Sequence, residues 1–119
     1  MSKALFQSVT PLLPAWPTLA DDLRFYTEQL GFEIVWQGGN AAGIRRGGVQ
    51  FLLLESDNRN WAENASAGIG VDDLDALYAE YRTIKANVGP LEMKPWGRRE
   101  FHAILPSGVC LQFFQTAVL

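Results

Sequence analysis

The feature that most constrains the fold of this chain is an internal repeat with an offset of about fifty residues. Ala20-Asp-Asp-Leu23, followed by Tyr26, returns further along the chain as Val71-Asp-Asp-Leu74, followed by Tyr78. A repeated unit of this size cannot bury its apolar face alone, so its two copies are expected to pack together. We therefore predict a single domain, residues 1–119, built from two similar modules.

The first module, residues 4–57, is predicted to contain a strand, a helix and three further strands. Residues 4–13 favour a strand that breaks at Pro14, and Thr18 is a typical helix N-cap. The predicted helix ends near Gly31, where glycine is favoured, and its apolar stripe is Leu23, Tyr26 and Leu30. The strands that follow are separated by glycine pairs typical of hairpins; they are Phe32–Gln37, Ala42–Arg46 and Val49–Glu55.

The second module, residues 65–117, repeats this order after a polar linker, Asn58–Asn64. Ser66–Val71 is a predicted strand, and Asp72 is a predicted N-cap with Asp75 three residues later. The apolar stripe of the second helix is Leu74, Leu77, Tyr81 and Ile84. The remaining predicted strands are Leu91–Lys94, Phe101–Leu105 and Cys110–Gln115.

This order predicts an α+β fold in which the two βαβββ modules form a cupped mixed sheet with the helices outside. Helices that cover one sheet face leave the concave face free to hold a ligand. A chain of 119 residues packed in this way has an expected radius of gyration of about 13–14 Å.

Charge and composition exclude several classes of function. The chain has 10 basic and 13 acidic side chains and a net charge of −3, and its basic pairs, Arg45-Arg46 and Arg98-Arg99, are short. We therefore expect no nucleic-acid partner, whereas a cationic ligand would meet no long-range repulsion. The longest strongly apolar run, Phe51–Leu54, predicts no membrane span. A lone cysteine, Cys110, and the absence of a signal-peptide pattern favour a cytoplasmic protein.

Four segments resemble those of a known family. They are Phe25-Tyr-Thr-Glu-Gln-Leu-Gly-Phe32, Val71-Asp-Asp-Leu-Asp-Ala-Leu-Tyr78, Pro95-Trp-Gly-Arg98 with Phe101, and Pro106-Ser-Gly108. The chain resembles the vicinal oxygen chelate superfamily, which contains glyoxalase I, extradiol dioxygenases, fosfomycin-resistance enzymes and bleomycin-resistance proteins. Pro95–Arg98 with Glu100-Phe101 is similar to the bleomycin-binding branch, and one arginine of Arg98-Arg99 is an insertion relative to it. The resemblance implies the glyoxalase/bleomycin-resistance fold and a homodimer, with Pro11 where the N-terminal strand crosses to the partner subunit.

The enzymes of that superfamily bind a divalent metal through His, Glu or Gln at four strand positions. The resemblance places these positions at Thr10, Leu52, Ser66 and Gln112. One possible ligand in four does not make a metal site, so we expect no metal and no cofactor. Glu55 is the nearest alternative ligand, but strand alternation points it away from Leu52. His102 is the only histidine, and we expect it and Cys110 to be structural.

The predicted concave face is instead suited to binding. Strand alternation and the four family positions place apolar and small side chains there, and three tryptophans are expected at the rim, where they would stack on planar or cationic ligands. The predicted ligand-binding residues are Trp36, Leu52, Leu54, Trp61, Ser66, Gly68, Trp96, Arg98, Cys110, Gln112 and Phe114.

The resemblance and this lining predict a non-catalytic homodimer that sequesters a bleomycin-type antibiotic, a cationic and partly planar small molecule. Two alternatives remain at this level. One is a metal-dependent glyoxalase-like lyase or thiol transferase, which requires a bound metal. The other is a sensor module for a metabolite or a different antibiotic, which would use the same aromatic groove.

Overall fold

The computed structural model of the protein describes residues 2–116, so Met1 and residue 117, the predicted end of the second module, lie outside it. The first half of the chain contains β1 (Leu12–Ala15), α1 (Leu19–Glu28), β2 (Glu33–Gly38), β3 (Ala41–Arg46) and β4 (Val49–Glu55). The second half contains α2 (Arg59–Asn64), β5 (Ser66–Val71), α3 (Leu74–Tyr81), β6 (Asn87–Val88), β7 (Glu92–Met93), β8 (Arg99–Ile104) and β9 (Cys110–Gln115). Within residues 2–116, no helix is long and apolar enough to cross a bilayer.

The strands form two sheets, one from each half of the chain. The first, sheet A, has the order β1-β4-β3-β2, and the second, sheet B, has the order β5-β9-β8-β6 with β7 also paired to β8. In each sheet the first strand of the module runs parallel to the last, and the other pairs are antiparallel. The mixed α+β fold with a repeated module is confirmed, although each module has its own sheet.

The helix α1 begins where its predicted cap places it, and both main helices are supported by the same kind of contact. Thr18 caps α1 by accepting a hydrogen bond from the Asp21 amide. Glu55, at the end of β4, accepts a hydrogen bond of 2.7 Å from the Leu19 amide. Gln115, at the end of β9, similarly accepts from Leu74 at the start of α3. Because helix N-termini leave amides unpaired, the strand beside each helix start completes its capping.

The cap of α3 is one residue later than predicted. Asp73, not Asp72, accepts the capping hydrogen bond, from the Ala76 amide. The carbonyl of Asp72 instead accepts from the side chain of Gln115, which keeps this residue outside the helix. The helix also ends at Tyr81, so Ile84, the last residue of the predicted stripe, packs against the core from the segment that follows.

The predicted first strand, residues 4–13, is wrong in both position and end. Residues 2–11 form no strand, and β1 includes Pro14 rather than ending before it. Proline is tolerated there because β1 is the edge of sheet A, where an amide on the outer side needs no partner. The exposed residues before β1 are called the N-terminal arm, residues 2–10.

Local hydrogen bonding also changes two segments of the second half. The predicted linker, Asn58–Asn64, is largely the helix α2, because Asn58 caps it and Arg59 pairs with Glu63 one turn later. The predicted strand Leu91–Lys94 is reduced to the two residues of β7, and β6 was not predicted.

The two modules share one apolar core and a network of hydrogen bonds across their boundary. Tyr81 of α3 donates a hydrogen bond of 2.5 Å to the carbonyl of Leu30, at the end of the first helix segment. Arg46 of β3 donates to the same carbonyl at 2.8 Å and to the carboxylate of Glu80. Burial raises the pKa of Tyr81 to about 12, so its hydroxyl remains a donor at neutral pH.

The molecule is more extended than a lone globule of its length. Its radius of gyration is 15.1 Å, compared with the expected value of about 13–14 Å. Its accessible surface is 7494 Å², whereas a monomer of this mass exposes about 6,400 Å². Part of this excess is apolar surface on the N-terminal arm, where Leu5 is 80% exposed.

A buried carboxyl group on α1 lacks a compensating charge. Asp22 is buried, and one of its carboxylate oxygens has no hydrogen-bond partner in the described structure. Burial raises its pKa from 3.8 to about 7. The folded protein therefore keeps this proton up to neutral pH, whereas the unfolded chain loses it near 4. Above neutral pH the folded state carries an unpaired buried charge, which lowers stability.

Asp22→Asn is expected to stabilise the protein at pH 8 by about 1–3 kcal/mol, because it removes the buried charge. The gain should vanish near pH 4, where the carboxyl group is neutral in both states. Denaturant unfolding at both pH values measures this difference. Asp21→Asn, an exposed change on the same helical turn, is the matched control. An equal gain at both pH values would contradict the prediction.

Candidate ligand-binding faces

In each sheet, one face packs against the helices and the other remains partly open, as strand alternation predicted. On β9, Leu111 and Phe113 are buried, while Cys110, Gln112 and Phe114 are half-buried on the opposite face. The same alternation on β4 leaves Leu52 and Leu54 half-buried on the open face, with Phe51 and Leu53 buried. The residues that were predicted together on each strand therefore share a face.

The open face of sheet A is built around one indole. Trp36 lies opposite Gly43 of β3 after an irregularity in β2, and a Cβ at Gly43 would collide with its Nε1. Leu52 is the partner of Gly43 on the next strand and of Leu12 on β1. Trp36 is nevertheless 46% exposed. Glycine at position 43 therefore lets a large aromatic ring lie against the sheet while part of it stays accessible.

The open face of sheet B carries a second aromatic ring beside small residues. Ser66 and Gly68 of β5 are the register partners of Cys110 and Gln112 of β9. The ring of Phe114 lies next to Gly70, where an added Cβ would come within 3.2 Å of it. The predicted row of small residues therefore gives room to the Phe114 ring rather than forming an empty trough.

Beside Phe114 lies a polar cluster that the sequence analysis did not identify. Glu100 is fully buried on this face, and its two oxygens lie 2.7 Å from Arg98 Nε and 2.7 Å from His102 Nε2. Burial opposes ionisation of Glu100, but hydrogen bonds from His102, Arg98 and Trp96 hold its pKa below the usual value. The carboxylate is thus charged at neutral pH and held in place by Arg98 and His102.

The spacing of this cluster was visible in the sequence. Arg98 comes directly before β8, and Glu100 and His102 lie two and four residues further on, at the spacing that puts strand residues on one face. The register places His102 opposite Gln112 and Glu100 opposite Phe114. His102 was expected to have a structural role only. It stacks on Trp96 with a ring-centroid distance of 6.5 Å and an interplanar angle of 17°, so it supports a predicted binding residue directly.

The donor set does not fit the metal that the enzymes of the family require. Thr10 lies on the exposed arm, Leu52 offers no donor, and Ser66 and Gln112 are neutral. Glu55, the alternative ligand, is engaged with the Leu19 amide. Among residues 2–116, no three His, Cys, Asp or Glu side chains are grouped closely enough to hold a metal ion. We therefore derive no metal-dependent step.

Cys110 is poorly suited to nucleophilic chemistry. Burial raises the pKa of its thiol, although a hydrogen bond with Gln112 partly offsets this effect. The reactive form of cysteine is the thiolate, so a raised pKa lowers reactivity at neutral pH. Cys110 therefore acts as a small wall residue of the face.

The predicted binding residues divide into two groups and one outlier. The sheet A group is Trp36, Leu52 and Leu54, and the sheet B group is Ser66, Gly68, Trp96, Arg98, Cys110, Gln112 and Phe114. Trp61 belongs to neither face, because it is on α2, which packs on β1. Its predicted place at the rim assumed an irregular linker. Clefts of 490 and 410 Å³ elsewhere in the molecule contain none of these residues.

The family follows from comparison with known sequences. The sequence profile of the Glyoxalase/Bleomycin resistance protein/Dioxygenase superfamily matches residues 16–113. The chain therefore belongs to this superfamily, as its sequence segments indicated. No curated protein sequence matches it significantly.

Similar solved structures include two antibiotic-binding proteins and a bleomycin resistance determinant. A bleomycin-binding protein from bleomycin-producing Streptomyces verticillus, solved with copper(II)-bleomycin, is 28% identical with a TM-score of 0.87 over 97% of this chain and 100% of that one. A bleomycin resistance determinant encoded on transposon Tn5 is 21% identical with a TM-score of 0.81, covering 95% and 100%. TnmS3, an antibiotic-binding protein from Streptomyces sp. CB03234, is 21% identical with a TM-score of 0.68, covering 96% and 100%. These likenesses confirm the predicted fold.

Gly43→Ala is expected to displace the Trp36 indole from sheet A, because the new methyl group would occupy its position. Since Trp36 is partly exposed and can move, the cost in stability should stay below about 1.5 kcal/mol. Near-UV circular dichroism should show a changed tryptophan band. Gly68→Ala is the control, because its Cβ would lie at an ordinary 3.6 Å from Phe114. An unchanged band in Gly43→Ala would contradict the arrangement.

Proposed function

We propose that this protein binds and sequesters a cationic, partly planar, bleomycin-type antibiotic without transforming it. One observation carries the proposal: the open faces bear aromatic rings, Trp36 on sheet A and Trp96 with Phe114 on sheet B, where the family positions offer too few metal donors. Aromatic side chains stack on flat ligands and each contributes about 0.5–1.5 kcal/mol. Binding of copper(II)-bleomycin by the similar Streptomyces verticillus protein supports this choice of ligand.

We further propose that the functional unit is a homodimer. In one copy both faces are partly open, and exposed apolar side chains lie on them and on the N-terminal arm; they include Leu5, Phe6, Val9, Leu12, Trp36 and Trp96. Large exposed apolar side chains that lie together are typical of interaction surfaces. A symmetric pair would cover this surface and would enclose two equivalent grooves.

The acidic balance of the chain is compatible with a ligand that carries positive charge, since long-range repulsion is absent. The lone Cys110 is consistent with a reducing compartment, and we assign the protein to the cytoplasm on that basis. Sequestration there would lower the free concentration of the drug in proportion to the number of binding sites. Resistance would then depend on protein abundance rather than on turnover.

Trp96→Ala is expected to weaken binding of bleomycin by about 1–3 kcal/mol, because it removes a central aromatic contact. Calorimetric titration of wild type and variant at micromolar concentration measures the difference. Trp61→Ala is the matched control, since Trp61 lies on α2 outside both faces. The absence of saturable binding by wild type would contradict the proposed ligand. Stoichiometric bound metal with turnover would instead support the lyase or transferase alternative.

Phe6→Asp is expected to shift the protein from dimer towards monomer, because it places a charge on the apolar arm that we propose contacts the partner. Gln7→Asp, the neighbouring polar position, is the control. Light scattering during size-exclusion chromatography gives the mass directly. A monomeric wild type at micromolar concentration would contradict the dimer.

A further inference from the structure

The polar cluster on sheet B contains a guanidinium group whose outer nitrogens are unused. Arg98 donates through Nε to the buried Glu100, at 2.7 Å. Neither of its Nη atoms bonds to a residue that the structure describes, and the side chain is 42% exposed. The end of Arg98 that carries four N–H donors is therefore available to a ligand.

Two neighbours fix this guanidinium group in place. Its Cζ lies 3.9 Å from the centroid of the Phe114 ring. The second neighbour is Glu100, whose other carboxylate oxygen contacts His102. A planar cation that is stacked and hydrogen-bonded in this way loses little further freedom when it binds a ligand. Arg98 is thus a prearranged donor rather than a mobile surface charge.

The same carboxylate connects Arg98 to the exposed indole of Trp96. Glu100 accepts from Arg98 and also lies 2.7 Å from Nε2 of His102, whose ring stacks on Trp96. Trp96 remains 62% exposed although His102 stacks on it. A planar ligand on the indole would consequently have its edge near the free nitrogens of Arg98.

This arrangement disfavours a positive group at that edge. Arg98 already occupies the face of Phe114 to which a ligand cation would otherwise be attracted. The negative charge of Glu100 is buried beneath Arg98 and His102, so a ligand would meet the guanidinium rather than the carboxylate. An oxygen acceptor would complete the hydrogen bonding of Arg98, whereas an ammonium group would be repelled by it.

We propose that Arg98 determines specificity in this half of the site by donating hydrogen bonds to an oxygen acceptor, a carboxylate or carboxamide, on a planar ligand stacked on Trp96. This inference rests on the proposed function and specifies the orientation of the ligand in the site. The acceptor end of the ligand lies against sheet B, and any cationic group of the ligand lies away from Arg98.

Four fragments that share one ring system test this proposal: quinoline, quinaldate, quinaldamide and aminomethylquinoline. Binding of each to the full-length protein is measured by ligand-observed NMR titration at neutral pH and low salt. We expect wild type to bind quinaldate and quinaldamide about tenfold more tightly than aminomethylquinoline. Quinoline reports on stacking alone.

Arg98→Met is expected to abolish this preference while leaving quinoline binding unchanged. Because that variant leaves Glu100 without its main partner, the double variant Arg98→Met with Glu100→Gln provides a second test without a buried unpaired charge. Arg99→Met is the matched control, since Arg99 pairs with Asp75 instead of Glu100. Arg98→Lys should restore part of the preference for quinaldate but little of that for quinaldamide.

The outcomes separate this inference from the proposed function. Tighter binding of aminomethylquinoline by wild type, or an unchanged preference in both Arg98 variants, would overturn the role of Arg98. Failure of all four fragments to bind would overturn this role and the aromatic site together. Failure of bleomycin to bind while the fragment preference persists would overturn the assigned drug alone.

Discussion

The relative position of the two modules depends on a network of hydrogen bonds between them. Tyr81 and Arg46 both donate to the carbonyl of Leu30, which lies just after α1. Carbonyl groups at the end of a helix have no partner within it and need one from elsewhere. Glu80 balances the charge of Arg46. Since the modules have separate sheets, this contact and the shared apolar core fix their relative position. In a single copy, each sheet keeps one partly open face.

Each open face is organised by an aromatic ring placed beside glycine. Trp36 lies against Gly43, and Phe114 lies beside Gly70. In both modules, a glycine therefore leaves room for an aromatic ring against the sheet. The faces differ in polarity, however, because sheet B adds a buried carboxylate at Glu100 and sheet A has no counterpart at Leu52 or its neighbours. A groove made from one face of each kind would hold a flat molecule and would distinguish its two ends.

The residues at the family metal positions and the two open faces are the basis of our proposal that the protein binds a ligand. At the family positions, Leu52 and Ser66 offer little to a divalent ion, and Glu55 is used to support a helix N-terminus. Burial raises the pKa of the Cys110 thiol, so it is also a weak nucleophile. The open faces instead offer aromatic surface for stacking and hydrogen-bond donors held in place by their neighbours.

The sequence by itself determined the repeated module, the start of α1 and the alternation of Leu52, Gln112 and their neighbours, because these depend on local capping and on short periodicities. Tertiary structure decided the rest. Pro14 became part of a strand because that strand lies at a sheet edge, and Trp61 moved away from the site because its segment is helical. The spacing of Arg98, Glu100 and His102 is local, but their position beside Phe114 and Gln112 depends on strand register, because contacts across a sheet depend on how its strands pair and not on their order along the chain.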